Sequence, residues 1–419
     1  MSKRVAIIGG GIAGLTAAYQ LNKRHDIVLF EKDGRLGGNA HTITTECGLT
    51  FDISVAVFGK NSYPNFVKLL DKLDIKRIKF SGSGIGMQNL DTKEEFFSTP
   101  FSLKGLIAQK LVTFHPRVVL GMLMGFIAMR NAINFYKEGK LDGLTMREAL
   151  ELVPGYTEEI IMGQMFIFCL VSSMYYEEIM DAPASLFFGK AFVHNDFFSI
   201  KAWYSLFTAE NNTQSYVNAL ASNFSDKIVL NSKIKQVIRN DEGVVLKMEN
   251  SDEQDFEKVV FACNADQALN LLEEPTEEEK NILSAWKYKD GPIVVHQDKS
   301  SFPEKEYYNL YTFLYSKNEG RVHTSVSGHI RNLKHIPDDC KFISSQHPNF
   351  PILEELVEYR KVFRTPIYDS ASFATIKDLP SLNGKMNTYY CGSHFGYGLH
   401  EDAVTSAIEV SRMLGVSWT

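Results

Sequence analysis

Cysteine is scarce in this chain and badly placed for pairing. The five present (Cys47, Cys169, Cys263, Cys340 and Cys391) are odd in number, scattered, and include no Cys-x-x-Cys pair. That pattern excludes a disulfide framework and a zinc site, and it fits a reducing compartment. Basic excess is missing too: the formal net charge is −6, which gives no support to nucleic acid as a partner. No apolar run reaches membrane-spanning length. The longest, Val118 to Met129, is broken only by glycines and is shorter than the ~20 residues a spanning helix needs. There is no internal repeat and no low-complexity linker. Nothing resembling a secretory leader precedes the first apolar run, so a cytoplasmic location is expected. Neither a Ser-His-Asp order nor a metal-ligand spacing stands out. What remains is 44% hydrophobic and 22% charged, ordinary for a globular protein. At 419 residues it exceeds what one core usually organises, so two domains are expected.

The strongest positive signal is at the N-terminus. Val5-Ala6-Ile7-Ile8 enters Gly9-Gly10-Gly11-Ile12-Ala13-Gly14, and a helical pattern follows with Leu15, Ala18 and Leu21 on one face. A second apolar run, Ile27 to Phe30, ends on Glu31. Strand, glycine-rich turn, helix, strand and terminal acid make a dinucleotide-binding unit, where an isolated glycine pattern would not. Gly9 permits the tight turn, Gly11 lets a pyrophosphate approach the backbone, and Gly14 lets the helix pack on its strand. Glu31, twenty positions after Gly11, can accept hydrogen bonds from ribose hydroxyls and repel a 2′-phosphate.

FAD and NAD share this fingerprint. A second turn of the same kind would suggest an added nicotinamide domain, but in Gly82-Ser83-Gly84-Ile85-Gly86-Met87 the last position is not glycine and no helical pattern opens there. Arg35-Leu36-Gly37-Gly38 favours FAD, because a second set of backbone amides beside an arginine can close over an extended cofactor.

Further along, Phe66, Leu69, Leu70 and Leu73 recur at helical spacing between Tyr63 and Ile75. Residues 80–205 are rich in Phe, Met and Leu, lack a glycine fingerprint, and read as an insertion. Strand character returns at 228–230, 234–238, 244–246 and 259–261, then with period two between 285 and 375. A strand over 387–391, a glycine-rich turn and a helix from about Glu401 to Leu414 close the chain. The expected architecture is α/β: a cofactor domain from residues 1–80, 205–284 and 376–419, interleaved with a mixed α+β substrate domain from 81–204 and 285–375. Val118 to Met129 reads as a buried helix of the second domain. The alternative is a segment that dips into a membrane interface or lines a lipid tunnel, with Lys104, Lys110, His115, Arg117 and Arg130 around it. In that case residues of about 104–130 make peripheral contact with the inner face of a membrane.

Four segments carry a family resemblance: Gly37-Gly38-Asn39-Ala40-His41-Thr42, Ser62-Tyr63-Pro64-Asn65, Phe261 to Leu269, and Tyr390-Cys391-Gly392-Ser393-His394-Phe395-Gly396-Tyr397-Gly398-Leu399-His400-Glu401-Asp402-Ala403. With the N-terminal unit they resemble the flavin amine oxidase and phytoene desaturase superfamily. Within it they look like the bacterial amine-oxidase-like FAD proteins linked to fatty-acid modification. The resemblance implies a Rossmann-type (GR2-like) FAD-binding domain, non-covalent FAD and redox chemistry on an apolar molecule. It implies that Gly9, Gly11, Ile12, Ala13, Gly14, Glu31, Lys32, Arg35, Gly37, Gly38 and Asn39 hold the ADP half. Ile234 would meet the adenine through its backbone, while Gly392, Ser393, Glu401, Asp402 and Ala403 would lie by the ribityl chain and ring. Asn39 stands where many members have arginine, leaving Arg35 as the pyrophosphate cation. Ser393 stands where many have aspartate, so its contact to the ribityl chain would be neutral.

Flavin N5 takes the hydride, so the protein need only position a C–H bond, exclude water and tune the ring. Tyr397 reads either as an aromatic wall or proton donor over the ring, or as core packing. His400 reads either as a general acid or base, or as a cap on the last helix. Glu401 and Asp402 also suit a helix N-terminus electrostatically. His194 reads as a core histidine or as lining a substrate cavity, Cys263 and Cys391 as buried small residues or redox thiols, and Glu273, Glu274 and Glu277 to Glu279 as a solvated face. The expected function is an FAD-dependent oxidoreductase acting on an unsaturated fatty-acyl or lipid chain by desaturation, reduction or double-bond isomerisation. The alternatives are an amine oxidase that makes imine and hydrogen peroxide, and a flavin-binding protein without turnover.

Overall fold

The structure is a computed structural model that describes residues 3–54, 57–79, 84–93, 95–100, 116–155, 157, 175–189, 206–240, 242–250, 252–302, 311–318, 320–330, 336–337 and 339–418. His194, Cys169 and residues 104–115 of the basic apolar region lie outside them.

The opening run forms β1 (Arg4–Ile8), the glycine turn leads into α1 (Ile12–Leu21), and β2 (Asp26–Phe30) returns parallel to β1. With β3 (Ile228–Val229), β4 (Lys258–Phe261) and β5 (Thr388–Tyr390) they make a five-stranded parallel sheet in the order β3-β2-β1-β4-β5. Strands from the beginning, middle and end of the chain thus share one sheet. Both faces are covered, so the strands are apolar throughout rather than alternating. Val5 and Ile7 turn towards α1, where Leu15, Ala18 and Leu21 are fully buried. Ala6 and Ile8 turn to the opposite face and share a core with Val237, Leu246 and Phe256. Those last residues come from a three-stranded antiparallel sheet over 234–239, 244–248 and 253–256.

A seven-stranded sheet lies beyond this unit. It runs through strands 357–367, 287–296, 343–346, 321–329, 311–318, 84–89 and 95–100. The glycines at 84 and 86 fall within one of these strands and not in a second nucleotide turn.

α2 (Pro64–Lys72) opens with proline at its first position and buries Phe66, Val67, Leu69 and Leu70. α3 (Pro116–Lys137) carries the longest apolar run, and here the first expectation is corrected. Ala128, Met129 and Ala132 are buried, whereas Leu120, Leu123, Met124, Phe126 and Ile127 are 51–57% exposed. Among its described side chains, those buried on the core lie in the second half of the helix. α4 (Asn212–Ala221) and α5 (His400–Met413) complete the layer around α1.

In the acidic stretch Glu273, Glu274 and Glu277 are exposed as expected, but Glu279 is a correction. Glu279 is buried, pairs with the Arg239 guanidinium, accepts from the Tyr390 hydroxyl, and closes a capping box with Thr276. An acid at the third position of a helix can turn back to its cap, and a buried arginine then compensates its charge.

Candidate functional site

All the parallel strands end on the same side of their sheet, and the motif residues follow from those ends. Gly9 follows β1, Glu31 follows β2, Cys263 lies just after β4, and Gly392 just after β5. Carboxyl ends of parallel strands are where such sheets bind ligands.

The first turn is built without slack. Gly9 has φ +114°, and a side chain there would meet the Ala262 carbonyl oxygen at 2.8 Å. A Cβ on Gly14 would fall 1.8 Å from the Gly9 carbonyl oxygen, so α1 rests directly on the turn. Gly11 is different: a Cβ there meets nothing within 4 Å. It is also the N-cap of α1, with no side chain capping it and no acid in the first turn. The opening amides of α1 therefore face open space, which is the arrangement that binds a phosphate anion.

The glycine doublet closes over this turn. The Gly37 amide donates to the Gly10 carbonyl at 2.8 Å, and Gly11 and Gly37 form a parallel bridge. Gly37 and Gly38 have φ of +105° and +59°, and a Cβ on Gly38 would come within 3.1 Å of the Gly11 Cα. Arg35 holds the doublet in place by donating to the carbonyls of Leu36, Gly38 and Ala40. Burial lowers the pKa of this guanidinium, and its Nε is buried without a partner. Asn39 and Lys32 lie exposed on the surrounding loop.

Glu31 is buried and fixes the adjacent backbone. Its Oε2 accepts from the Gly10 amide at 2.6 Å and its Oε1 from the Asp33 amide at 2.9 Å. Each oxygen keeps lone-pair capacity for a further donor, such as a ribose hydroxyl. The Ser232 amide donates to the Glu31 carbonyl, which brings the chain leading to Ile234 alongside. These groups fit the ADP half of a dinucleotide: open amides at a helix start, a doublet cradle, and an acid at the second strand.

The late motif builds the other end. Gly392 donates to Ser406 Oγ, and Ser393 opens a 3-10 turn that runs into α5. Asp402 Oδ2 accepts from the amides of Tyr397 and Leu399 and so shapes the turn before α5. Glu401 accepts from the amides of Asn65 and Phe66, and thus caps α2 from a distance. Ala403 is buried against α1. His400 is the first residue of α5, but its ring does not cap that helix. It packs edge-on against Phe66, and its Nε2 lies 3.2 Å from the Tyr216 hydroxyl. Burial lowers its pKa to about 4, so the ring is neutral at ordinary pH. Tyr397 hydrogen-bonds through its hydroxyl to Tyr136 on α3. Both hydroxyls crowd Gly189, where a Cβ would lie 2.7 and 3.0 Å from them. Burial first, and then the neighbouring phenol, raise the pKa of Tyr397.

Three groups in this region carried no signal in the sequence. Asp52 accepts from the Thr213 amide at 2.9 Å, the Thr213 hydroxyl at 2.8 Å and the Thr42 hydroxyl at 2.6 Å. Burial raises it to about 6 despite those bonds. Tyr216 and Tyr136 likewise reach the site only through long-range packing. An acid between Phe51 and Ile53 in an apolar strand was the one available hint. Burial raises the pKa of both Cys263 and Cys391, which makes them packing groups and not redox thiols.

Comparison with known proteins gives the family and the fold. Residues 12–302 match the family of flavin containing amine oxidoreductases. A 75-residue stretch is 37% identical to protoporphyrinogen oxidase 2 of Arabidopsis thaliana, covering 18% of this chain and 14% of that protein. Among solved structures, a fatty acid isomerase from P. acnes superposes with a TM-score of 0.72 at 17% identity, over 98% of each chain. Cyclohexylamine oxidase from Brevibacterium oxydans IH-35A gives 0.69 at 12% identity, over 99% of this chain and all of the other. At such identities the two structures are alike in fold.

Proposed function

Because the chain belongs to the flavin containing amine oxidoreductases, we propose that this FAD-dependent oxidoreductase acts on an unsaturated acyl chain. The amides opening α1, with the Gly37-Gly38 doublet, would hold the diphosphate. Glu31 would take the ribose, the Ile234 backbone the adenine, and Gly392, Ser393 and the start of α5 the ribityl and ring end, without a covalent link. When bound, the flavin supplies two-electron redox chemistry.

The observation that carries the substrate reading is the fate of the polar groups near the late motif. Glu401 is taken up by the α2 amides, Asp402 by the turn before α5, and Asp52 by Thr42 and Thr213. His400 is neutral. Among the described residues, each of these carboxylates already accepts from backbone amides or hydroxyls, so an ammonium group would have to compete for it. The core against which Tyr397 and Phe395 pack contains Met129, Met180, Phe187 and Phe188. Apolar surroundings of this kind suit a hydrocarbon substrate better than a cationic one. Burial keeps Tyr397 a protonated phenol, and its hydrogen bond to Tyr136 gives it a partner with which to hold or relay a proton. The fold shared with a fatty acid isomerase supports the same class.

The test is to incubate the flavin-loaded protein with unsaturated fatty acids and phospholipids, in air and anaerobically, and to map double bonds by mass spectrometry. A changed number or position of double bonds is expected. Unchanged acyl chains, together with flavin bleaching and peroxide release on an amine, would replace this reading with amine oxidation. That second reading is favoured by the amine oxidases sharing the fold.

A further inference from the structure

α3 meets the site near its C-terminus and carries an exposed apolar face further towards its N-terminus. Tyr136, near its C-terminus, meets Tyr397, whereas Leu120, Leu123, Met124, Phe126 and Ile127 are each more than half exposed. At 100° per residue these five side chains cover an arc of about 160°. Arg130 and Lys137 continue the same face and are exposed. We propose that the N-terminal half of α3 docks this protein on the surface of an anionic phospholipid bilayer.

Three observations choose that occupant. First, charge: no Asp or Glu occurs between Glu95 and Glu138, while Lys104, Lys110, Arg117, Arg130 and Lys137 all do, in a chain of net charge −6. Cations next to exposed apolar residues are what an anionic lipid surface attracts. Second, length: Leu120 to Ile127 is eight residues, about 12 Å of helix, far short of the ~30 Å hydrocarbon core, so this face can lie on an interface but not span it. Among the described residues no helix is long and apolar enough to cross a membrane. Third, a second copy is a poor occupant. Facing copies would bring like charges together, and so short a helical face falls below the ~800 Å² per partner of a stable interface.

Tyr136 follows Ile127 by about 14 Å along the same helix, so docking would bring the site close to the lipid surface. An acyl chain could then be drawn from the leaflet without crossing bulk water. This consequence rests on the acyl-substrate reading; the docking itself does not.

Flotation of the flavin-loaded protein with vesicles tests it. With phosphatidylcholine containing about a third phosphatidylglycerol, the protein is expected to float. Vesicles of phosphatidylcholine alone, or about 0.5 M salt, should weaken binding on the order of tenfold. Leu123→Asp and Ile127→Asp should each weaken it on the order of tenfold or more. Both positions are exposed, so flavin content and melting temperature should not change. Arg130→Glu with Lys137→Glu should lower binding to anionic vesicles selectively. Wild-type protein that stays unbound would overturn the proposal, as would aspartate variants that float like wild type. A dimer that Leu123→Asp dissolves would assign the face to a second copy and overturn it too. If acyl chains prove not to be substrates, flotation is unaffected, so the two failures can be told apart.

Discussion

Alanine at Gly11 and alanine at Gly14 should have opposite effects on the protein and its cofactor, although the two glycines are three residues apart. At Gly11 a Cβ meets no protein atom within 4 Å, and the backbone there has φ −72°, which alanine adopts freely. The apo protein should therefore keep its stability to within about 0.5 kcal/mol. The added methyl would instead occupy the space the helix amides face, where the diphosphate must come to backbone contact distance. FAD affinity should fall at least about a hundredfold, or ~2.7 kcal/mol. At Gly14 a Cβ would fall 1.8 Å from the Gly9 carbonyl oxygen, so α1 and the turn must part by more than an ångström. Overpacking of this kind costs about 1–3 kcal/mol and should lower the melting temperature of the apo protein by several degrees. Both effects can be read from the same preparations: fluorescence titration of apo protein with FAD, and thermal unfolding without it. Retained FAD affinity in Gly11→Ala, or an unchanged melting temperature in Gly14→Ala, would refute the assignment of the two glycines.

Removing either partner of the buried Arg239–Glu279 pair, by Arg239→Met or Glu279→Gln, should cost about 3–5 kcal/mol in unfolding experiments. Burial pushes Glu279 up, but Arg239, Tyr390 and the Thr276 amide together hold it below its ordinary 4.5. Its contribution should thus be present above pH 4.5 and be lost as pH falls through the lower folded value. Asp52 has the opposite sign. Raised from 3.8 to about 6, it binds its proton more tightly when folded. Stability should fall as pH rises through that window, by about 3 kcal/mol. In Asp52→Asn, melting curves between pH 4 and 7 should lack this slope. His400→Gln should leave the pH–rate profile unchanged near neutrality, because the ring loses its proton at about 4. A lost neutral-pH limb would restore His400 as an acid–base group. Tyr397→Phe and Tyr136→Phe should each lower turnover by about tenfold to a hundredfold. The double variant should be no worse than the more damaged single one, since the hydroxyls act as a pair.

The N-terminal unit was legible because its information is local. Turn, helix and second strand lie within thirty-one residues, and the glycines act through their own backbone. Gly14 against Gly9 is such a case: the spacing alone specifies the contact. Side-chain partnerships across the chain were not legible. Asp52 and Thr213 are 161 residues apart, and Arg239, Glu279 and Tyr390 come together from three elements. Without the third dimension, the run of glutamates near 279 looks like solvated surface. The late motif lies between β5 and the start of α5, and its side chains divide their partners in a way spacing does not reveal. Glu401 and Asp402 are adjacent, yet one caps α2 and the other shapes its own turn. The apolar run of α3 was ambiguous for a related reason. A continuous hydrophobic stretch has no polar face to mark its orientation, so burial at Ala128 and exposure at Ile127 can only be seen once the body of the protein is in place.

The most direct measurement is mass spectrometry of the purified chain after denaturation, with the released small molecules quantified. The account predicts an unmodified polypeptide and about one intact FAD per chain, recovered free in solution. A chain that carries no flavin and whose apo form takes none up, or one that keeps flavin covalently attached, would contradict the cradle described at the start of α1.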